Sequence, residues 1–135
     1  MQSMNLLLDT HIVLWAIGKT SELSRKVINE IKNPDNTILV SAVSLWEIAL
    51  KTSIGKLSVN FNIRKIPDYC IKMGFTLIPL NPIEALESLQ LPQKNSHKDP
   101  FDRMLIYQCI TNGYTLVSRD KKFEIYKKDG LQLIR

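Results

Sequence analysis

Residues 5–11 read Asn-Leu-Leu-Leu-Asp-Thr-His, a short apolar run that stops at an acid. An unbroken apolar run of this length is typical of a β-strand that is buried on both faces, as in a parallel sheet. Ligands bind at the carboxyl ends of the strands in such sheets. Asp9 directly follows the strand and is therefore a candidate site residue, although Asp is also a favoured helix N-cap.

The same pattern recurs along the chain, with helical segments between the apolar runs. The further predicted strands span 37–40, 76–78, 115–117 and 131–134. The predicted helices span 11–17, 22–32, 42–53, 62–73, 81–89 and 100–112. Strands and helices that alternate in this way predict a three-layer α/β/α fold with a mostly parallel central sheet of four or five strands.

The composition favours a globular protein. The chain has 135 residues without an internal repeat or linker, which predicts a single domain over 1–135. With 44% hydrophobic and 23% charged residues, it is not a disordered chain. The apolar runs are far shorter than the roughly 20 residues of a membrane span. Because the first residues also lack a basic signal-peptide region, we expect a cytoplasmic protein with no membrane contact. Cys70 and Cys109 have no metal-ligand spacing, which predicts small buried side chains.

Two more acids follow predicted strands, and each has a local structural explanation. Glu47 lies on the helix that leaves the second strand, where it is compatible with a capping box with Ser44 or with an exposed ion pair with Lys51. Asp120 directly follows the fourth strand, where it can also cap the short stretch 121–126. Neither acid alone indicates a functional site.

Asp102 is harder to explain by local structure. Asp99 and Pro100 are typical of a helix N-cap and first turn. On a helical projection, Asp102 lies near the centre of the apolar arc of that helix, while Arg103 lies on the polar side. A buried, unpaired carboxylate costs several kcal/mol. Asp102 is therefore predicted to be paired, to bind a ligand or to lie at the edge of the sheet.

These acids are predicted to meet, since Asp9, Asp102 and Asp120 fall at the same edge of one sheet. Clustered carboxylates repel one another, and Mg²⁺ or Mn²⁺ prefers such oxygen ligands. The segment 94–128 also holds eight basic residues against four acids. The basic residues are Lys94, Lys98, Arg103, Arg119, Lys121, Lys122, Lys127 and Lys128. An acidic centre with a basic surround suits metal-dependent cleavage of nucleic acid, and Lys98, Arg103 and Arg119 are candidate RNA-binding residues. For Lys121, Lys122, Lys127 and Lys128, a solvated charged face is the alternative.

Four segments of the chain resemble the signature segments of PIN-domain ribonucleases, and among these the VapC-type toxins of toxin–antitoxin pairs. The segments are Leu8-Asp9-Thr10, Trp46-Glu47-Ile48, residues 99–106 (Asp-Pro-Phe-Asp-Arg-Met-Leu-Ile) and Val117-Ser118-Arg119-Asp120. The resemblance covers nearly the whole chain, and the segment 99–106 is its most specific part.

The resemblance implies a fold, an activity and partners. It implies an α/β/α fold and a Mg²⁺- or Mn²⁺-dependent endoribonuclease. By position, the acidic quartet is Asp9, Glu47, Asp102 and Asp120, with Asp9, Asp102 and Asp120 as metal ligands and Glu47 as a ligand or proton acceptor. Asp99 matches an additional acid, and Thr10 and Ser118 would support the site by hydrogen bonds. The family further implies a homodimer and a cognate antitoxin. Trp15 and Trp46 are candidates for a partner groove or for core packing.

Two other classes of function compete with the nuclease. One is a non-catalytic RNA-binding module in which the acids are helix caps, although typical RNA-reading motifs are absent from the sequence. The other is a receiver-type phosphoacceptor domain, which needs an acidic pair after the first strand and an Asp after the third. Here Asp9 stands alone, and Pro79-Leu80 follows the third strand.

Overall fold

The computed structural model describes residues 3–92 and 98–135. Lys94, which belongs to the basic set above, lies outside the described residues. The five strands are β1 (Asn5–Leu8), β2 (Thr37–Ser41), β3 (Thr76–Ile78), β4 (Thr115–Val117) and β5 (Gln132–Ile134). The α-helices are α1 (Thr10–Gly18), α2 (Arg25–Lys32), α3 (Ala42–Ser53), α4 (Ile66–Lys72), α5 (Pro82–Glu87) and α6 (Pro100–Asn112). The 3₁₀ segments are Thr20–Glu22, Ile63–Lys65, Ser88–Gln90 and Lys121–Asp129.

The five strands form one parallel sheet in the order β3-β2-β1-β4-β5. The first strand lies at the centre, where Leu7 aligns with Leu39 on β2 and with Leu116 on β4. The predicted parallel α/β sheet is confirmed, with five strands. Because all five run in the same direction, the residues that follow β1, β2 and β4 reach one edge of the sheet.

Alternating side chains of the strands enter two cores, one on each face of the sheet. Leu6 and Leu8 pack on one face with residues of α1, α2 and α4. Leu7 and Leu116 pack on the other face with residues of α6 and of Lys121–Asp129. A strand that is buried on both faces needs an unbroken apolar run, which explains the Leu-Leu-Leu sequence. The two cores confirm the three-layer architecture.

Several predicted helices are shorter than the sequence pattern indicated. The predicted helix 22–32 begins only at Arg25, because Ser24 is its N-cap and accepts a hydrogen bond from the Val27 amide at 3.1 Å. The predicted helix 81–89 starts with a capping box between Asn81 and Glu84 and tightens into 3₁₀ geometry at Ser88. Side chains that bond to the backbone set these ends, and the hydrophobic period does not show them.

Two smaller expectations concern the cysteines and the membrane. Cys70 and Cys109 are both buried and free, as predicted. Burial raises the pKa of both thiols, which keeps them protonated and unreactive. In the described part of the chain, the helices fall short of the length and hydropathy of a membrane span.

Candidate active site

Asp9 stands between the central strand and the first helix and caps that helix. Its Oδ1 accepts a hydrogen bond from the Thr10 amide at 2.8 Å, and its Oδ2 accepts one from the Ser118 hydroxyl at 2.8 Å. Ser118 follows β4, so this bond joins the ends of neighbouring strands. The side chain is only 8% exposed. Burial raises the pKa of Asp9 to about 6 against the opposing hydrogen bond from Ser118, and the negative charges of Asp102 and Glu47 add to the rise.

Glu47 reaches the same region from α3. That helix begins directly after β2, where Ser41 caps it by accepting a hydrogen bond from the Val43 amide at 3.1 Å. The suggested capping box of Ser44 with Glu47 is therefore wrong, because both residues lie inside the helix. The suggested ion pair of Glu47 with Lys51 does form, but it is not exposed at the acid, because Glu47 is only 4% exposed. Its carboxylate accepts hydrogen bonds from the Thr10 hydroxyl at 2.6 Å and from the Lys51 ammonium.

Asp102 lies in the first turn of α6, and its side chain is buried. The helix begins as predicted: Asp99 accepts a hydrogen bond from the Asp102 amide at 3.0 Å, and Pro100 occupies the first turn. Asp102 is 5% exposed, as its place on the apolar arc predicted. Its Oδ2 lies 2.8 Å from the Lys122 ammonium, which is also 3.2 Å from Asp120 Oδ2. One lysine thus bridges two acids of the predicted quartet.

The four acids of the quartet line one cavity of about 320 Å³ at the carboxyl edge of the sheet; we call it the acid cavity. Its described lining residues are Asp9, His11, Trp15, Glu47, Lys51, Asp99, Asp102, Arg119, Asp120 and Lys122. A cavity of about 580 Å³ between Ile28, Ile31 and Phe75 is larger, but mostly apolar and uncharged side chains line it. The residues that the sequence placed at one sheet edge therefore share one water-accessible space.

Of the predicted RNA-binding residues, Arg103 is corrected by the structure. Its helical projection placed it on the polar side of α6, but it is 8% exposed. Its guanidinium donates hydrogen bonds to the carbonyl oxygens of Leu91 and Pro92. Arg103 therefore holds Leu91 and Pro92 against α6, and the predicted position of its side chain on the solvated face is wrong. Lys98 is exposed and lines a different cavity, whereas Arg119 is exposed and lines the acid cavity.

The chemistry of the donors in the acid cavity fits a hard divalent cation, since carboxylate oxygens are the ligands that Mg²⁺ and Mn²⁺ prefer. Two ammonium groups already neutralise part of this charge. Burial opposes a charge on Lys122, but the carboxylates of Asp102 and Asp120 raise its pKa, and Glu47 does the same for Lys51. Within residues 3–92 and 98–135, no three His, Cys, Asp or Glu side chains form a ready-made metal site. Lys122 contacts Asp102 Oδ2 and Asp120 Oδ2, so a metal ion held by these two oxygens is expected to compete with the lysine.

Replacing Lys122 by Met is expected to lower stability without metal and to increase the stabilisation by metal. The buried Asp102 loses a cationic partner, which costs about 1 kcal/mol because Lys122 is partly solvated. The measurement is the melting temperature in EDTA and in MnCl₂, with the exposed neighbour Lys121→Met as the matched control. Equal shifts on adding Mn²⁺ in the wild type and in Lys122→Met would show that the lysine does not compete with the metal.

Four cavity residues were not singled out by sequence analysis as members of the site: His11, Trp15, Lys51 and Lys122. His11 follows Asp9 by two residues at the start of α1. Lys51 follows Glu47 by one helical turn, and Lys122 follows Asp120 by two residues. For His11, Lys51 and Lys122 a sequence signal therefore exists, namely a polar or basic residue within one turn of three of the four acids. Such residues are also common on solvated faces, and only the tertiary structure shows that they point into the cavity.

The fold and the acid cavity together define a class of protein: the chain belongs to the PIN domain family, whose model matches residues 6–129. Ribonuclease VapC22 of Mycobacterium tuberculosis is 23% identical over 125 residues, which cover 90% of this chain and 91% of that protein. VapBC2 from Rickettsia felis, solved with a DNA fragment from its promoter, superposes with a TM-score of 0.65 at 21% identity and covers 97% of this chain and 98% of the other. DNA-bound VapBC from Salmonella typhimurium gives 0.64 at 17% identity, with 97% of each chain covered.

Proposed function

We propose that this protein is a metal-dependent endoribonuclease and the toxin of a toxin–antitoxin pair. The observation that carries the proposal is the convergence of Asp9, Glu47, Asp102 and Asp120 on the acid cavity of a PIN domain. The likeness to a protein named as a ribonuclease supports RNA as the substrate. The receiver-type alternative has no such support, since Pro79 and Leu80 stand where that class needs an acid.

The residues of the acid cavity suit the hydrolysis of a phosphodiester. Asp9, Asp102 and Asp120 would hold Mg²⁺ or Mn²⁺. The ion would lower the pKa of the attacking water and offset the charge that develops on the phosphate. Glu47 would accept the proton of that water, since Thr10 and Lys51 hold its carboxylate at the cavity wall. Ser118 would orient Asp9 through their hydrogen bond.

The cations at the rim would bind the RNA backbone. Arg119 is exposed at the acid cavity, and Lys122 becomes available for a phosphate once it leaves its carboxylates. In the direct attack of water on phosphorus, one P–O bond forms and the bond to the departing ribose oxygen breaks. Asp99 also lines the cavity, but its side chain caps α6 by accepting a hydrogen bond from the Asp102 amide. We therefore place Asp99 outside the catalytic set.

Incubation of purified protein with total RNA in Mg²⁺, in Mn²⁺ and in EDTA tests this proposal. We expect discrete cleavage products with either metal and intact RNA in EDTA, because the acids cannot activate water alone. A gel-shift measurement of RNA binding in EDTA distinguishes the nuclease from the alternative function, a non-catalytic RNA-binding module. Binding in EDTA without cleavage in either metal would favour that module.

We further propose a protein partner that covers part of the surface. The structural neighbours were solved as VapBC complexes, which makes an antitoxin the expected partner. Trp46 is 56% exposed on α3, whereas Trp15 is partly buried and packs against the core. Of the two tryptophans, Trp46 is thus the candidate for a partner groove. Homodimer formation and a cytoplasmic location stay predictions.

A further inference from the structure

Three flat side chains meet at the rim of the acid cavity. The rings of His11 and Trp15, one turn apart on α1, have centroids 5.6 Å apart and are tilted by 42°. The guanidinium carbon of Arg119 lies 5.4 Å from the centroid of the Trp15 ring. His11 and Arg119 are exposed, while Trp15 is partly buried and supports both. We call these three residues the stacking platform.

Two residues of the stacking platform, His11 and Trp15, line both the acid cavity and a second cavity. This second cavity measures about 620 Å³, and its described lining residues are His11, Leu14, Trp15, Gly18, Lys19, Leu57, Ser58, Val59, Asn60 and Phe61. His11 and Trp15 therefore face both spaces. The far wall includes the ring of Phe61, which packs so closely on Gly18 that a Cβ there would lie 3.3 Å from its Cε1. Acidic groups thus lie on one side of the platform, and mainly apolar groups lie on the other.

We propose that the stacking platform binds an unpaired nucleobase of single-stranded RNA, next to the phosphate that enters the acid cavity. This inference rests on the proposed function and deepens it. Unstacked RNA bases bind aromatic rings and Arg guanidinium planes, and the platform presents both. A duplex keeps its bases stacked inside the helix, so only a single strand, a loop or a bulge can supply the base. The second cavity has a volume of about 620 Å³, which is large enough for a nucleoside, and its mainly apolar walls suit the faces of a base ring.

The charges around the platform suit the same ligand. Arg119 lies on the platform and also lines the acid cavity, so it can contact a base with its plane and a phosphate with its charge. Lys19 lines the second cavity and would meet the next phosphate of the strand. A ribonucleotide therefore finds a flat surface for its base and a cation on each side of it.

The test measures RNA binding in EDTA, so that cleavage does not interfere. The probes are a fluorescent single-stranded RNA hexamer, an abasic hexamer of the same length and the same hexamer in a duplex. The variants are His11→Ala, at an exposed position, and Trp15→Leu. Tyr107→Leu is the matched control, because Tyr107 is a half-buried aromatic residue of α6 that is not among the described residues lining either cavity. Circular dichroism establishes that each variant is folded.

We expect the wild type and Tyr107→Leu to bind the single strand more tightly than the abasic and duplex probes. His11→Ala and Trp15→Leu should lose about 5- to 100-fold in affinity for the single strand and little for the abasic probe. Equal losses for both probes, or none for either, would overturn the proposed stacking. The two proposals fail separately, since base-dependent binding without metal-dependent cleavage contradicts only the nuclease, and cleavage without base-dependent binding contradicts only the platform.

Discussion

Replacing Asp9 by Asn is expected to abolish RNA cleavage while the fold remains intact. Asn has the same shape, so its Oδ1 still accepts from the Thr10 amide and its amide nitrogen faces the Ser118 hydroxyl. The variant loses the negative charge that a divalent cation needs. Removing a group that only hydrogen-bonds to a metal ligand lowers metal affinity or activity about 10- to 100-fold. Removing a ligand itself should therefore lower the cleavage rate at least about 100-fold. Cleavage of total RNA in Mn²⁺ measures the effect.

The matched control for this experiment is Asp35→Asn. Asp35 is exposed in the turn between α2 and β2, at the amino edge of the sheet and therefore opposite the acid cavity. Its replacement makes the same chemical change and should leave cleavage unchanged. Full activity of Asp9→Asn, with a normal circular dichroism spectrum, would remove Asp9 from the proposed site and with it the centre of the acidic quartet.

The same replacement is expected to stabilise the protein at neutral pH in EDTA. The pKa of Asp9 is about 6 in the folded chain against an ordinary value of 3.8, so the folded state binds this proton more tightly. The contribution of Asp9 to stability is therefore fully present below pH 3.8 and is lost as the pH rises through about 6. A difference of about two pKa units corresponds to roughly 3 kcal/mol. Asp9→Asn does not suffer this loss.

Urea unfolding at several pH values from 4 to 7 checks this expectation. The free energy of unfolding of the wild type should fall relative to that of Asp9→Asn as the pH rises, and the gap should level off above about pH 6. The Asp35→Asn variant should follow the wild type. A difference in unfolding free energy that stays constant over this range would mean that Asp9 keeps an ordinary pKa. Burial and the charges of Asp102 and Glu47 would then not raise it.

The fold was accessible from the sequence because burial on two faces leaves a simple pattern. Leu6, Leu7 and Leu8 must all be apolar, since neighbours along the strand enter opposite cores. Asp102 was accessible for a related reason, since a charged residue on the apolar arc of a helix has few structural explanations. In both cases the prediction depends only on the pattern of a short stretch of sequence.

Other parts of the site depend on partners far along the chain. Arg103 was placed on the solvated side of α6, yet Leu91 and Pro92 offer carbonyl oxygens that draw its guanidinium into the interior. Lys122 was one of four lysines on a basic stretch, and its neighbour Lys121 has the same charge and a similar position in the sequence. Only the packing of the segment Lys121–Asp129 against α6 selects Lys122 as the partner of Asp102.

The hydrogen bond from Ser118 to Asp9 spans 109 positions of the chain. Since β1 is the middle strand, it stays uncovered on one side until β4 has been synthesised and laid beside it. A nascent polypeptide on the ribosome therefore has an unfinished cavity until β4 and the residues up to Lys122 have emerged from the exit tunnel. We expect truncated translation products that end before Asp120 to lack the chemistry of the cavity.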